Sequence, residues 1–246
     1  MHLMQFNLFV YILRLRMFFA TPKSLDLCIP CYVKDVSQCW EKILHMGRKE
    51  EHKKNTVFIG SAYGNDRFFY LKSGKFCTFN YVNGIEKLHF IFDKSTLCRE
   101  SVFVSPFNLQ QNFYYKCLAD VILYTFDKRI LFDKSFYMRY PELIMNCMLS
   151  ISIKNIMSQV FTNIVTIKNK EKQIALYIDY FYKYGHSTSV VIPPLSQSQL
   201  AGLLGIHKIT MSRIIGSWKR EGLIGCYTKT RLEILDIDAI RAITED

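Results

Sequence analysis

The chain has 246 residues, half of them apolar, which is enough to bury a sizeable core in one large domain or two modest ones and excludes disordered and collagen-like classes. Its formal net charge of +11 favours an anionic partner, nucleic acid or a membrane surface. Eight cysteines without the short repeated spacings of a secreted disulfide framework read as reduced thiols of a cytoplasmic protein.

Residues 1–27 read as an N-terminal extension, or in part as a stretch upstream of a start at Met17. Gln5, Asn7, Arg14 and Arg16 cut its apolar run below the ~20 residues of a spanning helix, so no membrane span is expected. The two arginines follow the apolar stretch, the reverse of a secretory signal. From about Gly47 to Phe126, short β-branched and aromatic runs (VFIG, FFYLKSG, KFCTFNYVNG, IEKLHFIF) are separated by glycine turns, the pattern of antiparallel β structure. Asn83-Gly84 between two such runs predicts a hairpin, because a type I′ turn needs positive φ at both central residues.

Beyond Pro141 no Gly or Pro interrupts Glu142 to Tyr184, which predicts helix, with a break around the charged stretch Lys168 to Lys172. Leu149, Ile153, Ile156, Val160, Asn163 and Ile167 alternate steps of four and three, the spacing of a coiled-coil seam. Met157, Phe161, Ile164 and Val165 give a second apolar face. One face is expected to cover the β domain and the other to meet the same helix of a second chain in a parallel homodimer, with Asn163 fixing the register.

Val190 to Leu195 reads as a short strand and proline stop, and Ser196 with Gln199 forms a capping-box start. That helix ends at Gly205, and a second runs from about Lys208 to Glu221 before Gly222. Two helices joined by so short a turn cross steeply, with Ala201, Gly205, Ile206, Met211, Ile214 and Ile215 at the crossing. LIGCYTKTRLEIL reads as two strands around Thr228 to Thr230, a wing. An ordinary helical hairpin shares this spacing, but the charge is one-sided: Lys208, Arg213, Lys219, Arg220, Lys229 and Arg231 stand against Glu221 alone between Ser196 and Arg231. The candidate DNA-binding residues are Ser196, Gln197, His207, Lys208, Ile209, Thr210, Arg213, Lys219 and Lys229, those at the start of the second helix reading base edges.

The segment LSQSQLAGLLGIHKITMSRIIGSWKREGLI resembles the winged helix-turn-helix of the Crp/Fnr superfamily of bacterial regulators, and the likeness runs from about Cys28 onward. The KSGK turn, the NGIEKL hairpin and the CRESVF stretch resemble that family's eight-stranded sensor roll. The implied fold is α+β: an N-terminal antiparallel β-roll over 28–140, a dimerisation helix over 141–168 and a winged helix-turn-helix over 169–246. The resemblance further implies double-stranded DNA with two half-sites, a homodimer, contact with RNA polymerase, and a small-molecule effector between roll and helix. Lys208 and Arg213 match positions where the family often has arginine. Ile209 stands at a frequent glutamate and cannot accept from cytosine, although it can touch a thymine methyl.

Cyclic AMP is not expected, because Arg99-Glu100 replaces the family's Gly-Glu and no arginine lies around Gln111 to Tyr115 to hold the phosphate. The pattern is also similar to that of the family's halorespiration regulators, which implies an aromatic or phenolic anion near Lys154, the only charged residue between Glu142 and Lys168, with Phe90, Phe92, Arg99 and Tyr115 on the roll side. A redox alternative, by resemblance to iron–sulfur members, takes Cys28, Cys31, Cys39 and Cys117 as ligands, with Cys98 also further on, across a gap wider than the usual pattern. Two rivals come from other classes. An enzyme would draw on His45, His52, His89, Asp120 and Asp127, which form no recognised constellation, and a pure interaction module would bind no DNA.

Overall fold

The computed structural model describes residues 29–63, 66–82, 85–100 and 114–245. The N-terminal extension, Cys28 and the Asn83-Gly84 turn itself lie outside them. The N-terminal half is an open roll of two sheets. One runs β1 (Tyr32–Val33), β6 (Ile85–Asp93), β5 (Lys75–Val82), β8 (Tyr114–Cys117), β3 (Val57–Ile59); the other runs β2 (Arg48–His52), β9 (Val121–Asp127), β4 (Arg67–Ser73), β7 (Thr96–Cys98). The predicted hairpin is there: β5 and β6 pair antiparallel with Val82 opposite Ile85, leaving two residues for the turn. β4 shows why its sequence reads as a continuous apolar run. Successive side chains point to opposite faces, so Phe68 and Tyr70 enter a core with Trp40, while Phe69 and Leu71 enter the roll interior with Phe76 and Tyr115. Between β4 and β5, Gly74 has φ of +88°, and a Cβ there would lie 2.1 Å from the Asp120 carbonyl oxygen, so only glycine fits this tight turn.

A short helix α1 (Lys134–Arg139) leads into α2 (Pro141–Thr166), which starts with Pro at its first position, where the missing N–H costs nothing. The helix stops at Ile167, and Asn169 caps α3 (Lys170–Tyr184) by accepting from the N–H groups of Glu171 and Lys172, which places the expected break at 167–169. One side of α2 touches all three cores in turn. Leu143 and Cys147 join the Trp40 cluster, Ile153 and Met157 close the roll interior, and Ile164 joins the C-terminal core.

This corrects the predicted seam. Ile153 is buried in its own roll and Leu149 and Val160 are partly buried against their own chain, whereas Ile156 and Asn163 are exposed. Met145, Met148, Ser152, Ile156 and Gln159 form the outward stripe, shifted around the helix from the one expected. Periodicity gives the number of faces, but the mate of each face is set by tertiary packing.

The C-terminal unit has β10 (Val190–Val191), α4 (Gln197–Leu204), α5 (Lys208–Arg220), β11 (Ile224–Tyr227) and β12 (Leu232–Ile234), with the sheet order β10-β12-β11. A final helix α6 (Ile237–Glu245), not foreseen in the sequence, packs on α3 with Arg241 paired to Asp179 at 2.9 Å. The core of this unit is continuous with the outer face of the roll: Cys77, Phe79, Leu88 and Ile91 share one cluster with Leu200, Leu204 and Trp218. No helix among the described residues is long and apolar enough to cross a membrane.

A candidate nucleic-acid interface and a candidate interior site

Ser196 caps α4 as its sequence predicts, accepting from the Gln199 N–H while the Gln199 side chain accepts from the Ser196 N–H. Gly205 ends the helix in the left-handed region at φ of +63°, and Ile206 turns inward. Ala201, Ile206, Met211 and Ile215 are all buried at the crossing, so α5 is held by its inner face. Its outer face carries Lys208, Ile209, Ser212, Arg213, Lys219 and Arg220, all exposed. Ile209 is 72% exposed, a large apolar side chain left in water at the first turn of a helix. Thr210 sits at the edge of this surface, half-buried.

Three of the predicted DNA-binding residues have structural partners. The His207 ring caps α5, its Nδ1 accepting from the Ile209 N–H at 3.3 Å. The Gln197 amide donates to the Tyr227 carbonyl at 2.6 Å, tying α4 to the wing. The Ser196 hydroxyl is taken by its cap. Lys229 is exposed in the wing turn, which Thr228 closes by accepting from the N–H groups of Thr230 and Arg231. Sequence reasoning missed Ser212, although its place three residues after Ile209 puts it on the same helical face. Arg231 is paired with Glu233 at 3.2 Å and Glu221 accepts from the Ser217 hydroxyl, so the one acid of the segment is engaged away from Lys208 and Arg213. The unsatisfied N–H groups of the first turn of α5 add positive potential at the same end. A basic helix end with one exposed apolar residue suits a groove whose walls are phosphate and whose floor presents base edges.

The second site lies between roll and helix. Lys154 does not reach outward to solvent. Its ammonium donates to the Leu97 carbonyl at 2.6 Å, pairs with Glu100 and lies 5.3 Å from the centre of the Phe92 ring. Glu100 is 3% exposed and also accepts from the Ser150 hydroxyl, one turn before Lys154 on α2. The cation expected to await an anion therefore already has one, from a residue 54 positions away in the chain. Phe92 and Tyr115 line the same interior, and Phe90 stacks on Phe92 with centroids 5.8 Å apart. Phe58, missed in the sequence, stacks flat on Tyr115 at 5.0 Å. Arg99 lies 5.4 Å from the centre of the Phe69 ring, with positive φ, and burial depresses its pKa. Burial raises the Tyr115 phenol far above its ordinary value, so it stays neutral.

Cys28 lies outside the described residues, and the other cysteines are not gathered into one site. Cys31, Cys39 and Cys117 belong to three different apolar regions, and Cys98 is in the roll interior. Among the described residues no group of three or more His, Cys, Asp or Glu is placed to hold a metal. Burial pushes the thiols of Cys39 and Cys117 up to about 11 and that of Cys31 higher still. The imagined catalytic groups also have separate structural tasks. His52 stacks on Phe58, His89 bonds Asn80, Asp120 accepts from the Lys54 N–H, and Asp127 caps a turn through Arg129.

Residues 174–243 match the family model described as the Crp-like helix-turn-helix domain. The chain carries a Crp-like helix-turn-helix domain. That match covers the two crossed helices and the wing, and leaves the roll to be placed by structure. The fold is similar to that of CprK in complex with OCPA, with a TM-score of 0.72 at 16% identity over 87% of this chain and 97% of that one. It is equally similar to CooA from Carboxydothermus hydrogenoformans, with a TM-score of 0.72 at 13% identity over 89% and 99%. The c-di-GMP responsive global regulator CLP of Xanthomonas campestris follows at 0.64, with 14% identity over 79% and 97%. A search of curated proteins by sequence finds no match. The described residues thus share the fold of these solved structures, with a Crp-like helix-turn-helix domain at the C-terminal end.

Proposed function

We propose that this chain is a sequence-specific transcription regulator that binds double-stranded DNA as a homodimer in the cytoplasm, under control of a small molecule held between roll and helix. The observation that carries the reading is the exposed face of α5, where Lys208, Ile209 and Arg213 stand together on a Crp-like domain. Thr210, Lys219, Lys229 and the N-terminal end of α4 at Ser196 and Gln197 complete the surface. The division into extension (1–27), sensor roll (28–140), dimerisation helix (141–168) and DNA-binding domain (169–246) follows from the same reading. The outward stripe of α2, with Met145, Met148 and Ile156 exposed, is the face offered to a second copy. Two such copies place their recognition helices about one helical turn apart, so the operator has two half-sites ~10 base pairs from centre to centre. Contact with RNA polymerase belongs to this reading.

The favoured effector is an aromatic or phenolic anion. What supports it is the convergence of Phe92, Tyr115 and the Lys154 ammonium on one interior, and a similar fold that is known in complex with OCPA. A ligand that prefers one orientation of the DNA-binding domains shifts the population toward it, by no more than that preference allows. The test is selection of DNA from a random library by the purified protein at low salt, with and without a panel of phenols. Enrichment of a two-fold symmetric site, with affinity falling steeply as salt rises, is the expected result. A monomer that enriches nothing under any of these conditions overturns the proposal.

A further inference from the structure

The Glu100 side chain is the feature of the interior that the sequence gives no reason to expect. Its carboxylate is almost wholly buried, accepts from the Ser150 hydroxyl and pairs with the Lys154 ammonium, whose other partner is the Leu97 carbonyl. Lys154 and Ser150 both project from α2, whereas Glu100 and Leu97 belong to the roll. The pair is thus a polar tie between the two elements, more deeply buried than the Asn146 bonds to Trp40 and Val36, in the interior that holds Phe92, Cys98 and Met157. A buried ammonium needs an anion, and a buried carboxylate needs donors. Here each supplies the other, so an anion from outside meets a Lys154 whose charge is already matched.

We propose that Glu100 is a built-in occupant of an anion subsite at Lys154, and that an anionic effector binds by exchanging with it. The inference rests on the reading of the roll–helix interior as a ligand site. Exchange conserves charge at Lys154, since one anion replaces another. It releases a carboxylate from the roll and frees the Ser150 hydroxyl. Ligand binding thereby breaks the roll's link to α2 at the point where it is most buried, which gives the effector a mechanical consequence. It also sets specificity: a neutral aromatic molecule fills apolar space but cannot displace Glu100, because it leaves Lys154 unpaired.

Two variants and two probes test this. In Glu100→Ala the carboxylate is gone and Lys154 lacks its anion; acetate is the missing group as a free molecule. Acetate should raise the thermal midpoint of Glu100→Ala by several degrees and leave wild type and Glu100→Ala/Lys154→Gln unchanged beyond a common salt effect. Glu100→Gln keeps the shape and removes the charge, and serves in the same comparison if the alanine variant does not fold. Equal acetate responses in all variants overturn the proposal. The second probe is 4-nitrophenol, whose coloured anion reports its own ionisation, with 4-nitroanisole as the neutral analogue. Glu100→Gln should bind the nitrophenolate about tenfold or more tightly than wild type, with little change for the anisole. Equal or weaker nitrophenolate binding by Glu100→Gln argues against exchange. Acetate rescue with no binding of either aromatic probe would sink the aromatic effector while the carboxylate's role stands.

Discussion

Arg213 lies one turn into α5 and Lys219 near its end, both exposed on its outer face. A guanidinium near the start of a recognition helix can grip guanine through two hydrogen bonds, whereas an ammonium near the far end meets the backbone. Arg213→Ala should therefore cost about 1–3 kcal/mol on the selected operator and relax preference at one base position. Lys219→Ala should weaken all sequences alike and lower the slope of log affinity against log salt by about one. Fluorescence anisotropy with single-base operator variants separates the two, and a uniform loss for Arg213→Ala would remove it from base reading. Gly205 poses a question of backbone alone, since a Cβ there would meet nothing within 4 Å while φ is +63°. Gly205→Ala should cost about 1 kcal/mol in thermal stability, from the left-handed conformation and not from a clash. This residue was legible in the sequence because its reason is local, as was the Ser196–Gln199 capping box. The Lys154–Glu100 pair was not, because nothing within one helix shows which distant carboxylate folding will bring to it.

The helix α2 carries two faces with different mates. Its inner residues alternate among three cores, and removing one leaves a cavity. Ile153→Ala should lose about 2–5 kcal/mol of stability, read by chemical denaturation, while dimerisation is affected only through that loss. Its outer residues are exposed among the described residues. Ile156→Glu should leave the fold standing and shift the protein toward monomer in sedimentation equilibrium, with DNA affinity falling as the second half-site is lost. A dimer of unchanged strength would place the interface elsewhere. The same helix marks the limit of sequence reading at this scale. Its length, its break near Asn169 and its two apolar faces follow from the residues. The inward turn of Ile153 does not, because the roll supplies the rest of its cluster from strands about 30 to 120 residues earlier in the chain.

The two halves of the molecule share one apolar cluster, and a polar junction lies beside it. Lys75 pairs with Asp93 at 3.0 Å and reaches the Pro194 carbonyl at 3.4 Å, the Tyr32 hydroxyl donates to Asp93 at 2.7 Å, and the Tyr177 hydroxyl donates to the Pro30 carbonyl at 3.2 Å. Burial opposes the charge on Asp93, but the Tyr32 hydrogen bond and Lys75 outweigh it and hold its pKa below the ordinary 3.8. The unfolded chain therefore takes up a proton here before the folded one does. The carboxylate's contribution to stability is complete above the ordinary value and is lost as pH falls through the lowered one. Asp93→Asn lacks this contribution, so its stability should fall less steeply than that of wild type between about pH 5 and pH 2.5. The two tryptophans show whether the loss spreads, since Trp40 is buried in the roll and Trp218 in the DNA-binding unit. With Leu88 and Leu200 in one cluster, the roll cannot loosen its outer face without exposing α4. Trp40→Phe and Trp218→Phe variants, each reporting the other unit, should show acid transitions as nearly coincident as their own difference in stability permits. If the Trp218 signal changed well before the Trp40 signal in both chemical and acid unfolding, the shared core would not couple the halves, and a signal from the roll would need α2 alone to reach the DNA-binding helices.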